Sequence, residues 1–185
     1  MVQEVIRYVV LITLIVATAG CEALTGPKRT GEIQLSSEFF GSDSFYQYGY
    51  SYENSEYYRF PYQGEPIPDI INETYRVVGS EIVLVAGFNT PGRMNGFALV
   101  GEFESLSDAK TFYQDYSAVG NDLQFEAKSD TVEQFQVWIQ LTELGNYVKL
   151  LVKDIENLAD ETGTMYNEVN MEYTYQPNGS TTFPD

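Results

Sequence analysis

The chain has 185 residues, with 27 Asp and Glu against 10 Lys and Arg, a formal charge of −17 and no histidine. Such a surface repels phosphate backbones, which disfavours nucleic-acid binding. The missing histidine excludes Ser-His-Asp and Cys-His nucleophiles and histidine-ligated zinc or iron.

Residues 1–20 read as a lipoprotein signal peptide. Arg7 and the amino terminus supply positive charge, although Glu4 partly offsets it. Tyr8 to Val16 forms an apolar run, and Ala17-Thr18-Ala19-Gly20 supplies the small residues that a signal peptidase accommodates. The apolar core is shorter than the roughly 20 residues that cross a bilayer as a helix. Ala19-Gly20-Cys21 resembles the lipobox of bacterial lipoproteins, with Thr18 where that motif prefers leucine. The resemblance implies cleavage between Gly20 and Cys21 and acylation (palmitate) of Cys21. Several acyl chains on one residue give stable anchoring where one is marginal. Cys21 is the only cysteine, so the chain after it has no thiol for a disulfide, a nucleophile or a metal. The expected location is the bacterial cell envelope, anchored by lipid to the outer membrane.

After the leader, a hydrophobic share of 43% and aromatics at 15% argue for a folded core rather than disorder. The remaining length suits one domain. Residues 21–31 read as a lipidated tether, because Gly26-Pro27-Lys28-Arg29 carries no periodicity. A first strand is expected over Glu32–Phe40. Tyr46, Tyr48, Tyr50 and Tyr52 then recur at every second position, which on a strand puts all four on one face. Glu53-Asn54-Ser55-Glu56 supplies a turn and Tyr57–Tyr62 a partner strand, which Pro61 places at an edge or ends. A row of tyrosines stacks on sugar rings or flat ligands and hydrogen-bonds their rims. The same row also suits a pleated, half-buried surface that merely covers a core.

Residues 63–72 read as a loop stiffened by Pro66 and Pro68. Thr74–Val78 and Glu81–Phe88 follow as strands joined at Gly79-Ser80. The continuous apolar run Ile82–Ala86 suggests a central strand covered on both faces. Residues 89–96 form a loop rich in turn formers, and Phe97–Phe103 forms the next strand. Ala109, Phe112, Tyr113 and Tyr116 follow the spacing of one apolar helix face. Ser105 with Asp108 is a capping box, and Gly120 is a natural stop.

Gln134–Leu141 alternates, with Phe135, Val137, Ile139 and Leu141 on one face and Trp138 on the other. Leu144-Gly145-Asn146 turns the chain into Tyr147–Ile155, a β-hairpin. Tyr166–Tyr175 adds a third antiparallel strand, and residues 177–185 are expected as a tail. The run Val137-Trp138-Ile139, then Gly145–Val152, then Glu172–Phe183, resembles the C-terminal meander of Bacteroidota envelope lipoproteins, among them the haem-binding HmuY-like proteins. That family holds haem with two histidines. This chain has none, so haem ligation does not carry over, and methionine ligation by Met94, Met165 or Met171 has no support in the pattern.

Calcium is the one metal whose oxygen preference the composition suits. Asp154–Glu156 and Asp160–Gly163 are loop-like acid clusters, but both miss the EF-hand spacing. No catalytic residue, metal ligand or cofactor is therefore assigned. The fold expected is mostly β (α+β): a single antiparallel domain over residues 32–176 with one amphipathic helix. The function expected is a non-catalytic, lipid-anchored envelope protein presenting a ligand- or partner-binding domain. Its candidate binding face is Tyr46, Tyr48, Tyr50, Tyr52 and Trp138, and its partners are the membrane and a glycan or envelope protein. The alternatives are a structural accessory subunit of an envelope complex and a carboxylate-dependent glycan hydrolase.

Overall fold

The computed structural model describes residues 26–41, 45–78, 82–129 and 131–184. The expected signal peptide, the expected cleavage site between Gly20 and Cys21, the expected lipid acceptor Cys21 and the expected turn at Gly79-Ser80 lie outside the described residues. The strands are β1 (Thr30–Ser36), β2 (Gln47–Ser51), β3 (Glu56–Phe60), β4 (Ile71–Val78), β5 (Ile82–Asn89), β6 (Phe97–Gly101), β7 (Val137–Leu141), β8 (Tyr147–Ala159) and β9 (Met165–Gln176). One α-helix, α1 (Leu106–Asp115), stands between β6 and β7. The domain is thus mostly β, and every named strand pairing is antiparallel.

Five strands form a central sheet in the order β1-β9-β8-β7-β6, while β2–β3 and β4–β5 are separate hairpins. Alternation gives the sheet two apolar faces. On one face Trp138, Val148, Leu150, Val169, Met171, Tyr173 and Tyr175 pack with Tyr50, Tyr52 and Phe88 from the hairpins and with Ile70 just ahead of β4. On the other, Val137 and Leu151 pack against Ala109 and Tyr113 of α1. The result is a sheet between a layer of hairpins and a helix.

Register in the long β8–β9 pair is held across a bulge between Val152 and Asp154. Val152 and Ile155 are three residues apart, so a regular strand would send them to opposite faces. The extra residue, Lys153, restores the phase, and Ile155 faces Val169 on the hairpin side with Val152.

The helix begins where the capping box puts it. Ser105 Oγ accepts from the Asp108 N–H at 3.2 Å and donates to Asp108 Oδ2 at 2.8 Å. It ends at Asp115, five residues before the expected stop at Gly120, with Tyr116 capping in extended geometry. Lys149 explains the early end. Its buried ammonium donates to the carbonyls of Tyr113 at 2.6 Å and Tyr116 at 2.8 Å, neutralising the carbonyl end of the helix.

Three other expectations change. β1 stops at Ser36 rather than Phe40, because Ser37 Oγ takes the Asn167 N–H at 2.9 Å and Phe40 pairs instead with Tyr46. β5 is not a central strand: it pairs with β4 alone, supplemented by isolated bridges at Ala86 and Asn89. Its Ala86 and Phe88 are buried while Val83 is 51% exposed, so the β-branched run serves strand propensity more than burial. The segment expected as a tail is docked. Phe183 is buried with Val119 and Ile139, and its N–H donates to the Ser117 carbonyl at 2.9 Å. It covers sheet surface that the short helix does not reach.

Candidate functional site

The tyrosine row expected as one binding face is divided by the tertiary structure. At the turn end of β2, Tyr50 and Tyr52 lie over β9 and are buried. The Tyr50 and Tyr173 hydroxyls are 3.1 Å apart. Tyr52 stacks on Tyr175 with centroids 5.7 Å apart and donates its hydroxyl to Gln140 Oε1 at 3.1 Å. Burial, followed by the charge of Asp69, raises the Tyr52 hydroxyl well above the ordinary phenol range. Trp138 is in the same core, 4% exposed, with its indole N–H donating to Gln136 Oε1 at 3.0 Å. Tyr50, Tyr52 and Trp138 therefore lose the role of an open binding face: β9 packs on the two tyrosines, and Phe88 lies edge-on to Trp138 with centroids 6.5 Å apart.

Tyr46 and Tyr48 sit at the opposite end of β2, beyond the reach of that core. They form an aromatic cluster with Phe40 and Tyr62, whose ring centroids lie 5.7 to 6.0 Å apart. Tyr48 is 41% exposed and Tyr62 is 40% exposed. Partial desolvation, then the neighbouring Tyr46 hydroxyl, raises the Tyr48 hydroxyl above its usual value.

Arg59 of β3 organises this cluster. Its guanidinium lies 3.6 Å from the Tyr62 ring centroid and 5.6 Å from that of Tyr46, which is cation–π geometry. Glu65 holds it there: Oε1 accepts from Arg59 Nε at 2.5 Å, and Oε2 accepts from the Arg59 backbone N–H at 2.7 Å. These bonds hold the Glu65 carboxyl below the ordinary carboxylate range and raise Arg59. An open groove of about 770 Å³ follows, between Arg59-Phe60-Pro61-Tyr62 and Glu65-Pro66-Ile67. Its chemistry is aromatic faces beside one planar fork of donors and one ionised carboxylate. That suits a ring with a hydroxylated rim. Because Glu65 stays ionised, it accepts hydrogen bonds rather than serving as a general acid.

Tyr62 stands beyond the end of β3 rather than in the strand expected over Tyr57–Tyr62, and Arg59 and Glu65 are site residues that no local pattern singles out. The stretch Tyr57-Tyr58-Arg59-Phe60 showed a cation among aromatics, but the acid that fixes it stands six residues on, beyond a turn. The calcium reading fares differently. Asp154 and Glu156 belong to β8, and Asp160 Oδ1 is turned back onto its own loop. It accepts from the Thr162 hydroxyl at 2.7 Å and from the Thr162 and Thr164 N–H groups, each at 2.8 Å. No group of three or more His, Cys, Asp or Glu is placed to hold a metal ion among the described residues. Of the methionines, Met171 is sealed in the core while Met94 is 82% exposed.

No family model matches the chain, and no curated protein matches it. Among solved structures, a chain of a native gene transfer agent virion particle covers 88% of this chain and 87% of its own length, at 9% identity and a TM-score of 0.19. A likeness at that level carries no argument about fold or function. No helix among the described residues is long and apolar enough to cross a membrane.

Proposed function

We propose that this protein is a non-catalytic, lipid-anchored component of a bacterial envelope whose domain binds a glycan in the groove beside Arg59. The observation that supports the binding site is the pinned guanidinium: Arg59, clamped by Glu65 and laid over Tyr62, keeps a rigid polar and aromatic surface open to solvent. Pre-ordering of this kind lowers the entropy cost of binding. The anchor is supported by the sequence alone, through the apolar leader and the single cysteine at its end.

Glycan-array screening followed by calorimetry on the best hit tests the groove. Tyr62→Ala is expected to weaken that glycan about 10-fold, the order of one aromatic contact. Full affinity in Tyr62→Ala, or an array with no hits, removes the glycan reading. Metabolic labelling with an alkyne fatty acid tests the anchor, since Cys21→Ala should lose the label and leave the membrane fraction.

A second reading has the same surface docking an envelope protein as an accessory subunit. It is favoured by the exposure of Tyr62 at 40% and Ile67 at 55% in the groove lining, apolar surface of the kind that contact sites expose. A photo-crosslinking residue at position 67 should then trap one stoichiometric partner in membranes. A solitary monomer would exclude that reading.

A further inference from the structure

A second cavity, of about 520 Å³, opens at the far end of the β8–β9 hairpin, within the roughly 300–1,000 Å³ of small-ligand sites. Its lining combines three kinds of chemistry. Ser37 and Thr74 supply hydroxyls that hydrogen-bond each other. Phe39, Phe45, Met165 and Tyr166 supply apolar and aromatic surface. Glu38 and Asp160 supply two carboxylates, and no Lys or Arg stands among its lining residues within the described part of the chain.

The apolar side chains are unusually open for a folded surface. Phe39 is 58% exposed, Phe45 is 65% exposed and Met165 is 45% exposed, all around one concavity. Behind the hydroxyls, Ser37 Oγ meets Asn167, and Asn167 Oδ1 accepts from Asn72 Nδ2 at 2.7 Å. Both asparagines are fully buried, yet Asn72 Oδ1 and Asn167 Nδ2 have no protein partner. Buried amide atoms are rarely left unpaired, but neither asparagine lines the cavity, so the Ser37 and Thr74 hydroxyls are the polar groups at its floor.

Charge selects the occupant. The Tyr166 hydroxyl is raised by desolvation and then by Glu38, Glu168 and Asp160. Glu168 is itself raised by desolvation and then by Glu156 and Glu38. The field at this end of the hairpin is thus negative from several directions. An anion is repelled. A bare divalent cation finds only two carboxylates in the lining, and no group of three or more acids is placed to hold it among the described residues.

From this juxtaposition of exposed aromatic walls, a hydroxyl floor and an acidic rim, we infer that the cavity binds a small organic ammonium ion with an apolar body. Its head sits by Glu38 and against the aromatic faces, a pairing strengthened by cation–π attraction, with the loop-bound Asp160 adding only its charge. Its body covers Phe39, Phe45 and Met165. The site is separate from the Arg59 groove, so the two stand or fall independently.

Calorimetric titration of the purified full-length chain with phenethylammonium, and with neutral phenethyl alcohol, tests this. The ammonium should bind about 10-fold more tightly than the alcohol, and Phe39→Ala and Glu38→Gln should each weaken it about 3- to 10-fold. Both side chains lie outside the core clusters, and an unchanged thermal melt verifies that the variants fold. Tyr62→Ala, in the other groove, should leave ammonium binding unchanged. Equal affinity for the two probes, no saturable binding of either, or full affinity in both cavity variants overturns the inference.

Discussion

Raising the pH should unfold this domain through its tyrosines. Tyr52 is 0% exposed, Tyr173 and Tyr175 are 1% exposed and Tyr113 is 4% exposed. Burial is the leading cause that raises each hydroxyl, seconded by Asp69 for Tyr52, by Tyr50 for Tyr173 and by Glu53 for Tyr175, while a bond to Thr174 partly offsets it for Tyr113. In the unfolded chain these groups ionise near pH 10. A folded pKa above the unfolded one leaves stability complete below about pH 10 and lost as pH climbs toward the folded value. At pH 11 each hydroxyl costs about 1.4 kcal/mol, so the four together cost about 6 kcal/mol. A typical domain holds about 5–15 kcal/mol in all. Lys149 acts with the opposite sign, because burial disfavours its ammonium, but it is one group against four. Tyrosinate absorbance and far-ultraviolet circular dichroism, followed together from neutral to alkaline pH, measure the effect. The dichroism should be lost together with the last part of the tyrosinate signal, between about pH 10.5 and 12, after the exposed tyrosines have ionised. Smooth ionisation of all 15 tyrosines near pH 10, with the dichroism unchanged, would refute the reasoning.

The remaining predictions concern single side chains. Lys149→Met removes two charge-assisted bonds to the end of α1 but also a desolvation cost, so a net loss of about 2–4 kcal/mol is expected, or about 5–12 °C in Tm. Gly49→Ala places a Cβ 2.6 Å from the Ile70 carbonyl oxygen, where β2 bonds the chain ahead of β4 through Tyr50 N–H to Ile70 O at 2.9 Å. A loss of about 2–3 kcal/mol in urea unfolding should follow, and an unchanged midpoint would contradict that close approach. Ser105→Ala should cost about 1 kcal/mol by losing the cap on Asp108, with Ser105→Asp restoring most of it.

Local order was legible wherever a short stretch carries its own period or punctuation. The β7–β8 hairpin follows from alternation around Leu144-Gly145-Asn146, and the start of α1 from Ser105 and Asp108 three residues apart. The extent of burial was not legible in the same way. Four tyrosines of one period share a strand face, but only Tyr50 and Tyr52 meet β9, because the hairpin overhangs the sheet and leaves Tyr46 and Tyr48 outside. Likewise the apolar run of β5 reads as a covered strand until its pairing with β4 alone leaves Val83 in solvent.

What the sequence determined by itself is chemical inventory and local period. It contains no histidine and a single thiol just after an apolar N-terminal run, and its alternation is strong enough to specify antiparallel strands. These depend on residue type and near neighbours, which the linear chain states directly. Tertiary structure alone decided the sites. Arg59 meets Glu65 and Tyr62 across a turn, Ser37 meets Thr74 and Asn167 across three strands, and Lys149 of β8 ends a helix more than thirty residues earlier. Each such meeting depends on which hairpin packs on which face of the sheet. Packing is a property of the whole core, so no local pattern in the chain encodes it.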